Sequence, residues 1–315
     1  MRHKVLFTER YLTEEGKAYL EQNDCEVVTR FLRWQPEKEL IDALKDCDAV
    51  IAGGEVYSEQ VINSAKKLKI IARLGAGYDH VDLSAASRAG VTVTNTPGAT
   101  SKAVAEMVLG LMLALLRRIP IYDAGMKRGI WDQEPTVTEL GSSAVGIVGM
   151  GFIGREVIRL LQSFGPRVVA YDVVWDPDFA RANAVERVSM ERLMEVSDIV
   201  SIHVPLNEKT RGLINAGLLK RMKSTAYLIN TSRGAVIEKE ALKYALENHL
   251  LAGAALDAHW DTPAAPDDPI VRMENVIATP MVGYNTRQCQ ARMVKAAAEE
   301  VVAVLNGRTP RYALR

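Results

Sequence analysis

Short apolar runs alternate with amphipathic stretches from one end of the chain to the other, and that alternation narrows the fold more than any other feature. KVLF is followed by a helical period near Glu14 to Gln22, EVVT by one through Glu37 to Leu44, AVIA by one near Glu59 to Ala65, and KIIAR by the glycine-rich turn LGAGYD. Strands apolar on both faces, joined by helical crossovers, make a parallel sheet with helices on both sides. VTVTN closes this first set and TPG breaks the chain. A long helix is expected over Lys102 to Met126, bent near Pro120, and DQEPTVTELGSS then resets the pattern. The second set is AVGIVGM, RVVAYD, DIVSIHV, AYLIN, AGAALD and NVIAT, with a helix expected after each of the first four. The final stretch, Gln288 to Leu305, has helical period, with Met293, Ala296, Ala297, Val301 and Val304 on one side. The fold class is α/β, with parallel sheets and helices on both faces.

A chain of 315 residues suggests two domains. Lysine plus arginine number 39 and so do aspartate plus glutamate, so charge gives no case for nucleic acid or an acidic membrane surface as partner. Cys25, Cys47 and Cys289 lie far apart with no C-x-x-C pair, which reads as reduced thiols in a cytoplasmic protein and offers no metal site. MRHKVLFTERY returns to charge after three apolar residues and is not a signal peptide. AVAEMVLGLMLALL carries Glu106 and is too short to span a bilayer, so it reads as a buried helix or a subunit contact.

The strongest chemical signal is GIVGMGFIG. Gly149, Gly151 and Gly154, with Phe152 and Ile153 between the last two, stand in G-x-G-x-x-G spacing. That spacing alone is weak, but here a strand precedes it and an amphipathic helix, REVIRLLQSF, follows. The first glycine permits a tight turn, the second admits a pyrophosphate to the backbone, and the third lets helix and strand pack closely. Phosphates then rest on a helix N-terminus, where unpaired N–H groups and the dipole favour anions. The next strand ends on Asp172. A carboxylate there accepts both ribose hydroxyls and repels a 2′-phosphate, which favours NAD over NADP. The alternative is a glycine turn with no ligand.

VTNTPGATSKAVAEM, GIVGMGFIG, SDIVSIHVPLNEKTRGLIN, INTSRGAVIEKEAL and LLAGAALD follow one another through most of the chain. In these motifs and their order the chain resembles the D-isomer-specific 2-hydroxyacid dehydrogenases, and within them the phosphoglycerate dehydrogenase branch without its regulatory C-terminal extension. The resemblance implies two Rossmann- or flavodoxin-like domains: residues 1–98 plus 287–315 binding substrate, and residues 99–286 binding NAD. It also implies an active site in the cleft and a homodimer built through helix 102–126. In the family the arginine matched by Arg233 bonds the substrate carboxylate or carbonyl oxygen, and a planar guanidinium fork suits an oxyanion pair. The alternative for Arg233 is a surface ion pair. Thr231 and Ser232 would line the cofactor side with His203, Pro205 and Thr210, and Asp257 would lie near the nicotinamide amide. The backbone N–H groups of Leu74, Gly75, Ala76 and Gly77 would cradle the substrate carboxylate.

Two positions depart from the family. Its acid–base histidine, after T-P, is Met281 here, and its orienting glutamate, before a proline, is Thr262. Methionine moves no proton, and a lost general acid–base costs about 10²- to 10⁴-fold in rate. Four readings follow. Another residue supplies the proton, with His259 the foremost candidate and packing its alternative; Tyr284 and Lys102 are weaker. Alternatively, the substrate arrives protonated, as an iminium does, and meets Met281 in a more apolar pocket. Water serves slowly in the third. In the fourth the protein is a noncatalytic NAD-binding regulator, against which the intact Arg233 and glycine loop argue.

Overall fold

The computed structural model describes residues 2–131 and 137–314. Within the expected reset segment DQEPTVTELGSS, residues 132–136 lie outside the described residues. The chain divides into two compact units, Met1–Thr100 with Asn285–Arg315, and Ser101–Tyr284.

The first unit carries β1 (His3–Phe7), α1 (Glu14–Gln22), β2 (Cys25–Thr29), α2 (Glu37–Leu44), β3 (Ala49–Ala52), α3 (Glu59–Ser64), β4 (Ile70–Arg73), α4 (Leu83–Arg88) and β5 (Thr92–Thr94). All strand pairs are parallel, in the order β2-β1-β3-β4-β5. Thr13, Ser58 and Asp82 cap α1, α3 and α4 by accepting the N–H three residues on, which satisfies a donor the helix leaves open.

The second unit runs α5 (Ser101–Leu116), α6 (Ile119–Lys127), β6 (Ala144–Val148), α7 (Phe152–Leu161), β7 (Arg167–Tyr171), α8 (Pro177–Ala182), β8 (Val185–Arg187), α9 (Met190–Val196), β9 (Ile199–Ile202), α10 (Ala216–Leu219), β10 (Tyr227–Asn230), α11 (Lys239–Glu247), β11 (Gly253–Leu256) and β12 (Val276–Ala278). Its seven parallel strands stand in the order β12-β11-β10-β9-β6-β7-β8. Strand side chains alternate between two cores, as the pleat requires. Val168, Ala170, Ile229 and Ala255 enter the core under α5 and α7; Val169, Leu228, Ala254 and Leu256 enter the one under α9 and α11. The helix α12 (Arg287–Leu305) returns to the first unit and packs on α1, β3 and β4.

Three elements differ from the sequence reading. The long helix is two, because Arg118 adopts φ 52° and Pro120 sits in the first turn of α6, where its missing N–H costs nothing. The strand β8 was not foreseen; its three residues, VER, are mostly exposed at a sheet edge and carry no apolar pattern. The buried face of α12 includes Val294, Ala298 and Val302 beside Met293, Ala297 and Val301, whereas Ala296 and Val304 are only half-buried. Among the described residues no helix is long and apolar enough to cross a membrane.

Candidate active site

The strand β6 is central in its sheet, with β9 on one side and β7 on the other, so the turn after it opens at the switch point of the strand order. Open parallel sheets take ligands there. Gly149 needs to be glycine, since it has φ 98° and an added Cβ would meet the His203 carbonyl carbon at 3.0 Å. A Cβ on Gly154 would overlap the Gly149 carbonyl oxygen, while one on Gly151 would meet nothing within 4 Å and project into open space. The middle glycine therefore keeps room clear above the N-terminus of α7, which no side chain caps. Phe152, Val173 and Val174 are largely exposed nearby in sequence, apolar surface suited to an adenine.

Asp172 is half-buried at the end of β7. It does more than the sequence foretold: Oδ2 accepts from the Met150 N–H at 2.5 Å and Oδ1 from the Val174 N–H at 2.8 Å. Each oxygen keeps a further lone pair for a ribose hydroxyl. The His203 Nε2 lies 2.9 Å from the Ser201 hydroxyl, and its buried Nδ1 makes no hydrogen bond among the described residues. Burial pushes this imidazole down to about 3, so it is neutral and serves no acid–base role near pH 7. Thr210 spends its hydroxyl within its own turn, donating to the Pro205 carbonyl at 2.5 Å and accepting from the Asn207 N–H at 2.8 Å. As a direct cofactor contact it is displaced by that turn. The Thr231 hydroxyl, by contrast, is buried and makes no hydrogen bond among the described residues, an open polar atom for a ligand. The glycine cradle, the uncapped helix and this hydroxyl fit a dinucleotide.

Arg233 follows β10 in extended conformation, φ −142° and ψ 140°. Its placement depends on Asn230, a fully buried residue that sequence reasoning passed over. The Asn230 Oδ1 accepts from the Ser232 N–H at 3.0 Å and hydroxyl at 2.7 Å, and its Nδ2 donates to the Arg233 carbonyl at 2.8 Å. The half-buried guanidinium donates from Nη1 to the Ser232 carbonyl at 2.9 Å. A Cβ on Gly234 would overlap the His259 carbonyl, so the arginine turn lies directly on the His259 backbone. The His259 Nε2 bonds the Thr279 carbonyl at 2.9 Å, and the Met281 N–H donates to the same oxygen at 2.9 Å. The structure thus brings Arg233, His259 and Met281 into one neighbourhood.

Asp257 is 4 % exposed and holds that neighbourhood together. Its Oδ1 accepts from the Thr279 hydroxyl at 2.6 Å and the Val282 N–H at 2.9 Å, and Oδ2 from the Gly283 N–H at 2.8 Å. Within that loop Met281 adopts φ 56°, which costs a side-chain-bearing residue about 1–2 kcal/mol. Thr262 is exposed.

The glycine turn of the first unit needs a correction. The Leu74 N–H donates to the Ala52 carbonyl at 2.9 Å and the Gly75 N–H to the Thr96 hydroxyl at 2.7 Å, so neither reaches a substrate. The Ala76 and Gly77 N–H groups make no hydrogen bond within the described residues and remain as donors. Gly75 is at φ 100°, which turns the chain there.

A seven-stranded parallel sheet with a glycine turn at its switch point and a carboxylate ending the neighbouring strand is an arrangement that suits a dinucleotide. Residues 109–283 match the model of the D-isomer specific 2-hydroxyacid dehydrogenase NAD-binding domain. A glyoxylate reductase of Thermofilum pendens is 39 % identical over 319 residues, covering 98 % of this chain and 93 % of that one. The crystal structure of a Thermus thermophilus protein superposes with a TM-score of 0.90 at 35 % identity, covering 99 % of this chain and 100 % of that one. An acyclic imino acid reductase solved with NADPH and D-Arg superposes with a TM-score of 0.89 at 26 % identity, over 99 % of this chain and 100 % of that one. The chain belongs to the D-isomer specific 2-hydroxyacid dehydrogenase family. It is an NAD-dependent oxidoreductase of that family.

Proposed function

We propose that this protein reduces a small 2-keto acid, with Arg233 gripping an oxygen of the substrate and His259 delivering the proton. The observation that carries the reading is the arginine turn, fixed by Asn230 and seated on the His259 backbone at the carboxyl end of β10 and β11. The Thr279 carbonyl anchors the His259 ring through Nε2, and the proton transfer is assigned to Nδ1. Met281 contributes apolar bulk where the family has its imidazole. Gly149, Gly151, Phe152, Ile153, Gly154, Asp172, Thr231 and Ser232 hold the cofactor, with His203 and Pro205 beside it, and Asp257 shapes the loop over it. The Ala76 and Gly77 N–H groups are assigned to a carboxylate as well.

His259→Gln tests the proton role. Reduction of the best 2-keto acid should fall about 10²-fold or more, while NADH affinity by tryptophan fluorescence holds. Unchanged turnover removes His259 from the chemistry.

The Met281 substitution, together with the likeness to an imino acid reductase, favours a second reading. An iminium brings its own proton and needs no acid. Nicotinamide absorbance followed with 2-keto acids, with and without ammonia or an amine, separates the two. Turnover only with the amine selects the iminium. Tight NADH binding with turnover of neither selects a noncatalytic regulator.

We assign the protein to the cytoplasm, and to a homodimer formed through the region 102–126, which α5 and α6 make up. Ile119, Met126, Ile130 and Trp131 are 53, 53, 50 and 74 % exposed there, more apolar surface than an isolated helix pair ordinarily leaves to water. Sedimentation should give twice the chain mass, and Trp131→Glu should shift it towards the monomer.

A further inference from the structure

A cavity of about 250 Å³ opens in the second unit at the amino ends of β10, β11 and β12, where Tyr227, Ala252 and Glu274 to Ile277 line it. In a parallel sheet this is the edge opposite the one that carries the glycine turn after β6 and the arginine turn after β10. The other wall is the end of α5 and the start of α6. Arg118 breaks the helix there at φ 52°, so the chain turns aside instead of continuing along α5. Ala114 and Ala252 bring only a methyl each to the space. The strand β12 is seated tightly beside β11, where a Cβ on Gly253 would overlap the Asn275 carbonyl oxygen, so the wall that carries Glu274 is fixed.

Part of the lining is apolar, from Leu115, Pro120 and Ile277, and Leu115 and Ile277 are continuous with the core under α5 and α7. Four polar side chains complete it: Arg118, Tyr227, Glu274 and Asn275. The Arg118 guanidinium lies 5.9 Å from the Tyr122 ring centroid, and its charge reaches Tyr227. Burial holds the Tyr227 phenol above its ordinary pKa against that charge, so it stays protonated at neutral pH and donates. The Glu274 carboxylate makes no ion pair or hydrogen bond among the described residues. Pockets for drug-sized ligands start at about 300 Å³, so this one suits a molecule of about ten non-hydrogen atoms.

We propose that this cavity binds a small apolar α-amino acid as its zwitterion, the carboxylate on Arg118 and the Tyr227 hydroxyl, the ammonium on Glu274, and the side chain against Leu115, Pro120 and Ile277. One guanidinium and one carboxylate line the same space, and that pairing decides the ligand. A plain carboxylate would leave Glu274 beside an anion, and a plain amine would leave Arg118 beside a cation. An uncharged apolar molecule would strip water from both without replacing it. A zwitterion answers both charges at once, and the Asn275 amide offers a donor and an acceptor to either end. The site is independent of the reductase reading, since none of these residues belongs to the hydride reaction.

Titration calorimetry and melting temperature on the native full-length chain compare phenylalanine of each hand, 3-phenylpropionate and 2-phenylethylamine, which share the ring and differ in their charged ends. One hand of phenylalanine should bind at least about tenfold more tightly than the acid or the amine. Glu274→Gln, an exposed change that the fold tolerates, should weaken it about tenfold, and Tyr227→Phe about threefold. Arg233→Ala should leave the dissociation constant where it is. Neither heat nor a rise in melting temperature with phenylalanine of either hand overturns the proposal, as does equal affinity for the acid or the amine. Binding that survives Glu274→Gln unchanged overturns it too. Binding lost in Arg233→Ala places the amino acid in the active site and overturns it as well. Turnover of keto acids, found or not, bears on the reductase reading alone.

Discussion

Arg233→Ala should lower kcat/KM for the best substrate by about 10²- to 10³-fold while the NADH dissociation constant moves by less than about threefold. Removing one side of a buried charge pair costs about 2–5 kcal/mol, and each 1.36 kcal/mol is about a decade in rate. The turn itself should survive, because Asn230 holds it through the Ser232 N–H, the Ser232 hydroxyl and the Arg233 carbonyl, none of which belongs to the guanidinium. Arg233→Lys should recover only part of the loss, since an ammonium cannot present two parallel donors in a plane. Stopped-flow reduction with fluorescence titration of NADH separates the two quantities. A large change in cofactor affinity, with turnover kept, would move Arg233 from the substrate to the dinucleotide.

Asp257→Ala should be the most destabilising single change in the second unit, at about 3 kcal/mol or more. The side chain accepts from one hydroxyl and two N–H groups of residues 279–283, and it is nearly inaccessible to water, so its loss strands three donors. The urea midpoint of that unit should fall without a change in slope. Asp257→Asn should cost less but still loosen the loop, because an amide offers one acceptor oxygen where the carboxylate offers two. If Asp257→Asn leaves the midpoint alone and weakens only NADH binding, the carboxylate acts on the nicotinamide end and not on the loop.

What could be read from the chain followed the range of the signal. Gly149, Gly151 and Gly154 were legible because three glycines, one strand and one helix lie within a short window, and each glycine answers a separate steric demand. Arg233 was legible only by likeness, since nothing local distinguishes a ligand-facing arginine from a surface one. The tasks of Asn230 and Asp257 were hidden for a related reason. Asn230 reads as the polar end of an apolar run, and its bracket exists only once Ser232 and Arg233 turn back over it. The partners of Asp257 are more than twenty residues away, at Thr279, Val282 and Gly283. The Leu74 and Gly75 N–H groups were misassigned because Ala52, at the end of β3, and Thr96, just past β5, take them. Arg118 marks the limit for helices: Pro120 announced a bend, but the left-handed residue that makes it a break is an arginine, which sequence alone does not place there.

The return of α12 to the first sheet bears on how the molecule is made. Gly16 in α1 lies so close to Val294 that an added Cβ would overlap it, and Met293, Ala297 and Val301 are sealed from water at the same place. Residues 1–100 therefore lack one wall of their core until residues 285–315 join them, whereas 101–284 hold all seven strands of their sheet in one continuous stretch. The inserted unit is closed by a single uninterrupted stretch of sequence, and the interrupted one is complete only with both of its segments together.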